Sequence, residues 1–222
     1  MKRLIIAIDG PSGAGKGTLA RTMATRLGYL HVDTGAMYRS VAWKAAQDGL
    51  SLDDDAAVSA LAERAVLDQT GGKVTIDGQD VTREIRTPEA DKAAAAVARL
   101  PRVREVLVGR QRALGANGAV VMEGRDIGTV VFPNADMKIY LDASAEERAR
   151  RRASDVAHTG GKDSLASVQS ELVARDKTDS TRTVAPLTLA KDAIYIDTTE
   201  MPFEVVVNHV MMLLIDKLNP LG

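Results

Sequence analysis

The stretch Asp9-Gly10-Pro11-Ser12-Gly13-Ala14-Gly15-Lys16-Gly17-Thr18 restricts this chain more than any other feature, because of what flanks it. Before it lies a short continuous apolar run, Leu4 to Ile8, which fits a strand buried on both faces of a parallel sheet. After it, from Lys16 to Leu27, Leu19, Met23 and Leu27 recur at four-residue spacing and Gly28 stands as a helix stop. Glycines at such a junction let successive backbone N–H groups point inward around an anion. The helix amino terminus adds partial positive charge, and Lys16 can reach the outer phosphates of a nucleotide. The competing reading is an ordinary glycine-rich strand-to-helix turn, in which Lys16 has no purpose. The strict phosphate-loop pattern has Ser or Thr directly after the lysine, whereas here Gly17 precedes Thr18.

Alternation continues beyond this unit. Leu30 to Val32 is extended, and Asp33 and Thr34 offer capping side chains to a helix from about Gly35 to Gln47. Ala119 to Met122 and Met137 to Leu141 are two further buried strands, and Ala193 to Ile196 is a last one. Helices are expected over Ala145 to Arg152, Leu165 to Arg175 and Phe203 to Leu218. Strands alternating with helices in this way give an α/β fold with a parallel sheet. The middle departs from that rule. Lys73 to Ile76, the turn Asp77-Gly78, and Gln79 to Thr82 read as an antiparallel hairpin. A helix from about Glu89 to Arg99 stops at Pro101, and another runs from about Val103 to Leu114. Residues 68–99 therefore read as a small inserted subdomain, and Asp155 to Asp163 as a mobile segment between two helices.

Composition removes several chemistries. With no cysteine, disulfides, zinc ribbons and thiol nucleophiles are excluded, and three scattered histidines supply little acid–base catalysis. The formal net charge of −1 provides no field for holding a nucleic acid, and few aromatics are available for stacking on bases. Of 29 cationic residues, 19 are Arg, whose planar fork grips phosphate in two places. The first apolar run ends at Asp9, too short for a secretory segment, and Val205 to Ile215 is too short to span a bilayer. A soluble cytoplasmic protein without membrane or nucleic-acid partners is expected.

Three further segments follow strands or close a helix: Thr34-Gly35-Ala36-Met37-Tyr38-Arg39, Glu123-Gly124-Arg125-Asp126-Ile127-Gly128-Thr129, and Arg175-Asp176-Lys177-Thr178-Asp179-Ser180-Thr181-Arg182. The first two fall at the expected carboxyl edge of the sheet, where α/β ligands collect. Arg175 and Arg182 share one helical face if that helix persists. Together with the phosphate loop and Pro101-Arg102-Val103-Arg104, these segments resemble the bacterial cytidylate kinases, P-loop nucleoside monophosphate kinases, over nearly the whole chain.

That resemblance implies a single domain over 1–222, a three-layer P-loop NTPase-type sheet with helices on both faces, an inserted monophosphate-binding subdomain at 68–99 and a lid at 153–163. It implies transfer of the γ-phosphoryl group of ATP to CMP and dCMP, with Mg²⁺, by a monomer. Gly10, Pro11, Ser12, Gly13, Ala14, Gly15, Lys16, Gly17 and Thr18 would hold ATP. Arg39, Arg125 and Arg182 would grip the monophosphate, Thr34, Arg104 and Asp126 would read cytosine, and Tyr38, Arg175 and Asp179 would line ribose and phosphate. Lys16, Arg125, Arg182 and Arg152 would act on the transferring group, and Thr18 and Glu123 would serve the metal. For Glu123, a charge capping the strand end is the alternative. Ala95 stands where the family can present a serine near the sugar hydroxyls.

Asp126 can accept from the exocyclic amine of cytosine while Arg104 donates to the ring carbonyl, a pattern uracil reverses at position four. UMP is the runner-up acceptor. A nucleotide-dependent switch is the main alternative class, but no Asn-Lys-x-Asp guanine-reading motif is present. A nucleic-acid module is a third, motivated by Arg148, Arg150, Arg151 and Arg152. That arginine group is read as leading into a lid, against a solvated helical face, and Arg83, Arg99 and Arg112 are read as solvated surface charges.

Overall fold

The computed structural model describes residues 3–155 and 164–218. Its main sheet has five parallel strands in the order β2-β6-β1-β7-β8, namely β2 (Leu30–Asp33), β6 (Val120–Glu123), β1 (Ile5–Asp9), β7 (Met137–Asp142) and β8 (Ile194–Asp197). β1 is central. Ile6 lies beside Val121 on one side and Met137 on the other.

The continuous apolar run of β1 has a direct cause in the packing, because successive side chains enter different cores. Ile6 and Ile8 join Leu19, Met23, Ile139, Val207 and Val210 on one face. Ala7 joins Val41, Leu61, Val103 and Leu107 on the other. The first core is roofed by α1 (Lys16–Leu27) and α8 (Phe203–Leu218), and the second by α2 (Thr34–Gln47), α3 (Asp55–Arg64), α4 (Pro88–Val97) and α5 (Pro101–Gly115). The expected helix–sheet–helix layering is present.

Local signals account for most boundaries. Gly28 ends α1 in the left-handed conformation at φ 66°, and the Asp33 carboxylate accepts the N–H of Ala36 at 2.9 Å to start α2. Pro101 both ends the preceding run and opens α5. Between α2 and α4 the structure goes beyond the expected hairpin. Helix α3 is capped by Asp54, which accepts from Ala57, and a third short strand joins a separate antiparallel sheet of β3 (Leu67–Asp68), β4 (Thr75–Ile76) and β5 (Gln79–Asp80). α3 escapes a periodicity reading because only Val58 and Leu61 of its four buried residues are large and apolar, the small Ser59 and Ala62 completing the inward face.

Past β7, α6 (Ala145–Ala153) and α7 (Leu165–Thr181) pack on each other through Ala149, Val168 and Leu172. α7 runs six residues beyond the expected end at Arg175, so Arg175 and the cap residue Arg182 do share one helix. Most of the expected lid, residues 156–163, lies outside the described residues. No described helix is long and apolar enough to cross a membrane.

Two glycines separate backbone strain from steric exclusion. Gly10, at φ +143°, passes so close to β7 that a β-carbon would overlap the carbonyl of Leu141. Gly28 faces open space. Gly28→Ala is expected to cost about 1 kcal/mol of unfolding free energy and Gly10→Ala about 4 kcal/mol or more, read from urea midpoints of the purified variants.

Candidate active site

The phosphate loop crosses from β1 to α1 at the carboxyl edge of the sheet. Gly13 and Gly15 have positive φ of 81° and 94°, and Gly15 caps α1 without a side-chain hydrogen bond or an acidic residue in the first turn. The first N–H groups of α1 thus remain open to an anion. Lys16 is buried and its Nζ donates to the Pro11 carbonyl at 2.6 Å. Burial and the nearby Arg125 push its ammonium well below the usual lysine range, against the pull of Glu123. A bound polyphosphate would supply the countercharge it lacks.

Gly17 also has an explanation here. A β-carbon at that position would stand 3.0 Å from Oε1 of Glu123, so the departure from the strict motif makes room for that carboxylate. Glu123 is buried, meets His31 Nε2 at 3.2 Å, and lines the same cleft as the exposed Thr18. Gly10 and Pro11 do not line the cleft. They serve the loop from below, Gly10 through its close approach to β7 and Pro11 through its carbonyl.

The arginine run divides into separate roles, which corrects the reading of it as a lid group. Arg148 is buried, donates to the carbonyls of Ala143 at 2.9 Å and Ser12 at 3.1 Å, and pairs with Asp176 at 2.7 Å. Arg151 donates to the Thr198 carbonyl at 2.7 Å and reaches the Ala14 carbonyl at 3.4 Å. Both brace the phosphate loop from outside, a task for which the adjacent charges gave no signal. Arg150 pairs with Glu146 and Glu147 on the surface, as a solvated face would. Arg152 alone of the four turns toward the acceptor end, onto Asp91. Arg112, read as a solvated charge, instead donates to the carbonyls of Val130 at 2.7 Å and Val131 at 3.1 Å.

Opposite the loop, residues from distant parts of the chain line one cleft of about 740 Å³. They include Thr34, Tyr38, Arg39, Arg104, Arg125, Asp126, Arg152, Arg175, Asp179 and Arg182 together with Ser12 to Thr18. Nearly every cation there has a carboxylate. Arg39 pairs with Asp33 at 3.0 Å, Arg125 with Asp179 at 2.9 Å, and Arg175 with Asp91 at 2.8 Å. Arg104 pairs with Asp126 and lies 5.8 Å from the centre of the Tyr38 ring, while Arg182 stands 3.6 Å from Asp126. The Thr34 hydroxyl donates to the Glu123 carbonyl at 2.7 Å, leaving its oxygen to accept from a ligand. Ala95 presents a methyl group to the wall.

The sequence reading assigned no role to two acids that organise the site. Asp91, in the first turn of α4, resembles an ordinary helix-start acid there. Asp9 accepts the N–H groups of Ile127 at 2.8 Å and Gly128 at 2.7 Å, fixing the π-helical turn Ile127–Val131 that follows Arg125 and Asp126.

Burial outweighs those two hydrogen bonds and pushes the Asp9 carboxyl up to about 6. The folded state therefore holds this proton at pH values where the unfolded chain has lost it. Stability from this group is full below about pH 4 and falls as pH rises to about 6, by roughly 3 kcal/mol. Asp9→Asn should flatten this slope in urea unfolding at pH 4.5, 5.5 and 6.5.

A profile of the family described as Cytidylate kinase matches residues 6–216. The chain is 49% identical over 210 residues to a cytidylate kinase of Geobacillus sp. (strain WCH70), covering 93% of this chain and 94% of that protein. It is 50% identical over 211 residues to a cytidylate kinase of Pelotomaculum thermopropionicum, covering 93% of each. In fold it is similar to a shikimate kinase from Acinetobacter baumannii, with TM-score 0.50, 16% identity, and 99% and 96% of the two chains covered. A gluconokinase from Sinorhizobium meliloti 1021 gives TM-score 0.50 at 14% identity, with 95% and 90% covered. A match this long to the family profile, together with relatives at half identity, means that the chain belongs to the cytidylate kinase family.

Proposed function

We propose that the chain transfers the γ-phosphoryl group of ATP to CMP, and to dCMP, giving ADP and the corresponding diphosphate. The observation that carries this is a set of buried donors in the cleft wall facing the phosphate loop. Arg39 Nε, Arg175 Nε and one terminal nitrogen of Arg182 are buried without a hydrogen-bond acceptor. Buried guanidinium N–H groups left without acceptors are costly unless a ligand completes them, and a monophosphate carries the right charge and oxygens.

The acceptor is itself a phosphate oxygen, anionic near neutral pH, so no catalytic base is needed. Ser12 to Thr18 cradle the donor phosphates, and Lys16 offers charge to the transferring group. Arg125, Arg152 and Arg182 approach from the acceptor side, so catalysis consists of in-line placement and charge compensation. Thr18 and Glu123 supply hard oxygen ligands suited to Mg²⁺ or its bound water. Bound there, Mg²⁺ would neutralise charge developing on the β- and γ-oxygens.

The cytosine edge is assigned to Asp126 and Arg104, with Thr34 accepting beside them. Asp126→Ala should lower the ratio of kcat/KM for CMP over UMP by about 100-fold, and an unchanged ratio would move base reading elsewhere. Lys16→Ala should remove transfer in a coupled ADP assay while leaving the unfolding midpoint near wild type; substantial turnover would take Lys16 out of the mechanism. The same assay on the wild type tests the reaction itself, since equal ADP formation with and without CMP would mark a nucleotide hydrolase or switch.

A further inference from the structure

We propose that Asp91 is a positioning residue of this site, holding Arg39, Arg152 and Arg175 at fixed spacing so that guanidinium groups from three helices meet the phosphates together. The proposal rests on the reading of the cleft as the phosphoryl-transfer site.

Asp91 belongs to α4, and the three arginines belong to α2, α6 and α7. Its Oδ2 pairs with Arg152 and, at 2.8 Å, with Arg175, while its Oδ1 stands 3.6 Å from Arg39. One carboxylate thus ties together four helices from separate parts of the sequence. An acid that merely complemented a helix dipole would face water, as Glu89 does two residues earlier, but Asp91 is only 8% exposed. Burial opposes its ionisation, yet Arg175, Arg152 and Arg39 outweigh it and hold the carboxyl far below the usual aspartate range.

Two roles are open to such a carboxylate. As a placeholder for substrate phosphate, it would consume the donors that a phosphate needs and leave when the substrate arrives. As an organiser, it would engage one edge of each guanidinium and leave other N–H groups available. The second pattern is the one present. Each guanidinium carries five N–H donors, and Arg39 Nε and Arg175 Nε remain buried and without acceptors while Asp91 is in place. Ala95, one helical turn further along α4, lines the same cleft with a methyl group and offers the arginines nothing.

The test compares wild type, Asp91→Asn and Asp91→Glu as full-length proteins in the ATP and CMP coupled assay, with a thermal melt of each. For Asp91→Asn we expect kcat to fall about 10- to 100-fold and KM for CMP to rise, with KM for ATP within about twofold. Asp91→Glu keeps the charge one methylene further out and should recover part of kcat. Should Asp91→Asn fail to fold, Asp91→Glu carries the test through the same split between the two substrates. Wild-type constants in a folded variant would overturn the proposal. So would equal rises in both KM values with kcat unchanged, the signature of general loosening. Absence of CMP-dependent ADP formation in the wild type would instead overturn the reading of the cleft, and this proposal with it.

Discussion

Repulsion among like charges is the constraint around which this cleft is built. Lys16, Arg39, Arg104, Arg125, Arg152, Arg175 and Arg182 line one space of about 740 Å³. Cations so close and so poorly hydrated would drive the helices apart unless anions stood among them. Asp33, Asp91, Asp126 and Asp179 are those anions, each within reach of at least one of the arginines. Cation is set against carboxylate along the wall that faces the phosphate loop.

Buried ion pairs of this kind add little to net stability, since desolvation offsets most of the attraction. What they supply is orientation. A guanidinium fixed along one edge by a carboxylate keeps its other N–H groups in a fixed plane and loses less freedom when a phosphate binds. The phosphate loop is treated in the same way from its outer side. Arg148 and Arg151 hold the carbonyls of Ser12 and Ala14, and Asp176 fixes Arg148. Because Asp176 directly follows Arg175 on α7, the donor loop and the acceptor arginines are tied to one helix.

How much of this the sequence revealed depends on the range of the interaction concerned. The strand-to-helix junctions were legible because their signals are local: an apolar run for β1, Asp33 as a cap, Gly28 as a stop. The cleft residues from Ser12 to Arg182 were legible because their spacing repeats a family pattern. Helix α3 was not, since Ser59 and Ala62, half of its buried residues, mark an inward face only faintly. The partition of Arg148, Arg150, Arg151 and Arg152 was not legible either. Four cations in five residues share a composition, and only the surrounding fold decides which meets a carbonyl, an acid or water. Asp91 and Asp9 were hidden for a related reason. Their sequence contexts, a helix start and a strand end, already explain an acidic residue, and nothing local records the partners 61 and 119 residues away.

The substitution of glycine for the usual hydroxyl residue after Lys16 is best understood in these terms. A β-carbon at position 17 would stand 3.0 Å from Oε1 of Glu123, which meets His31 Nε2, and would press the carboxylate out of its place in the cleft. Shifting the hydroxyl to Thr18 leaves that carboxylate next to the lysine, and Glu123 then raises the affinity of Lys16 for its proton against the opposing effects of burial and Arg125. The glycine is therefore a consequence of keeping an acid near the donor phosphates, as Asp91 is of keeping one near the acceptor arginines. At the acceptor end a carboxylate aligns the arginines, whereas at the donor end Glu123 only partly offsets burial and a bound polyphosphate would complete the charge balance of Lys16.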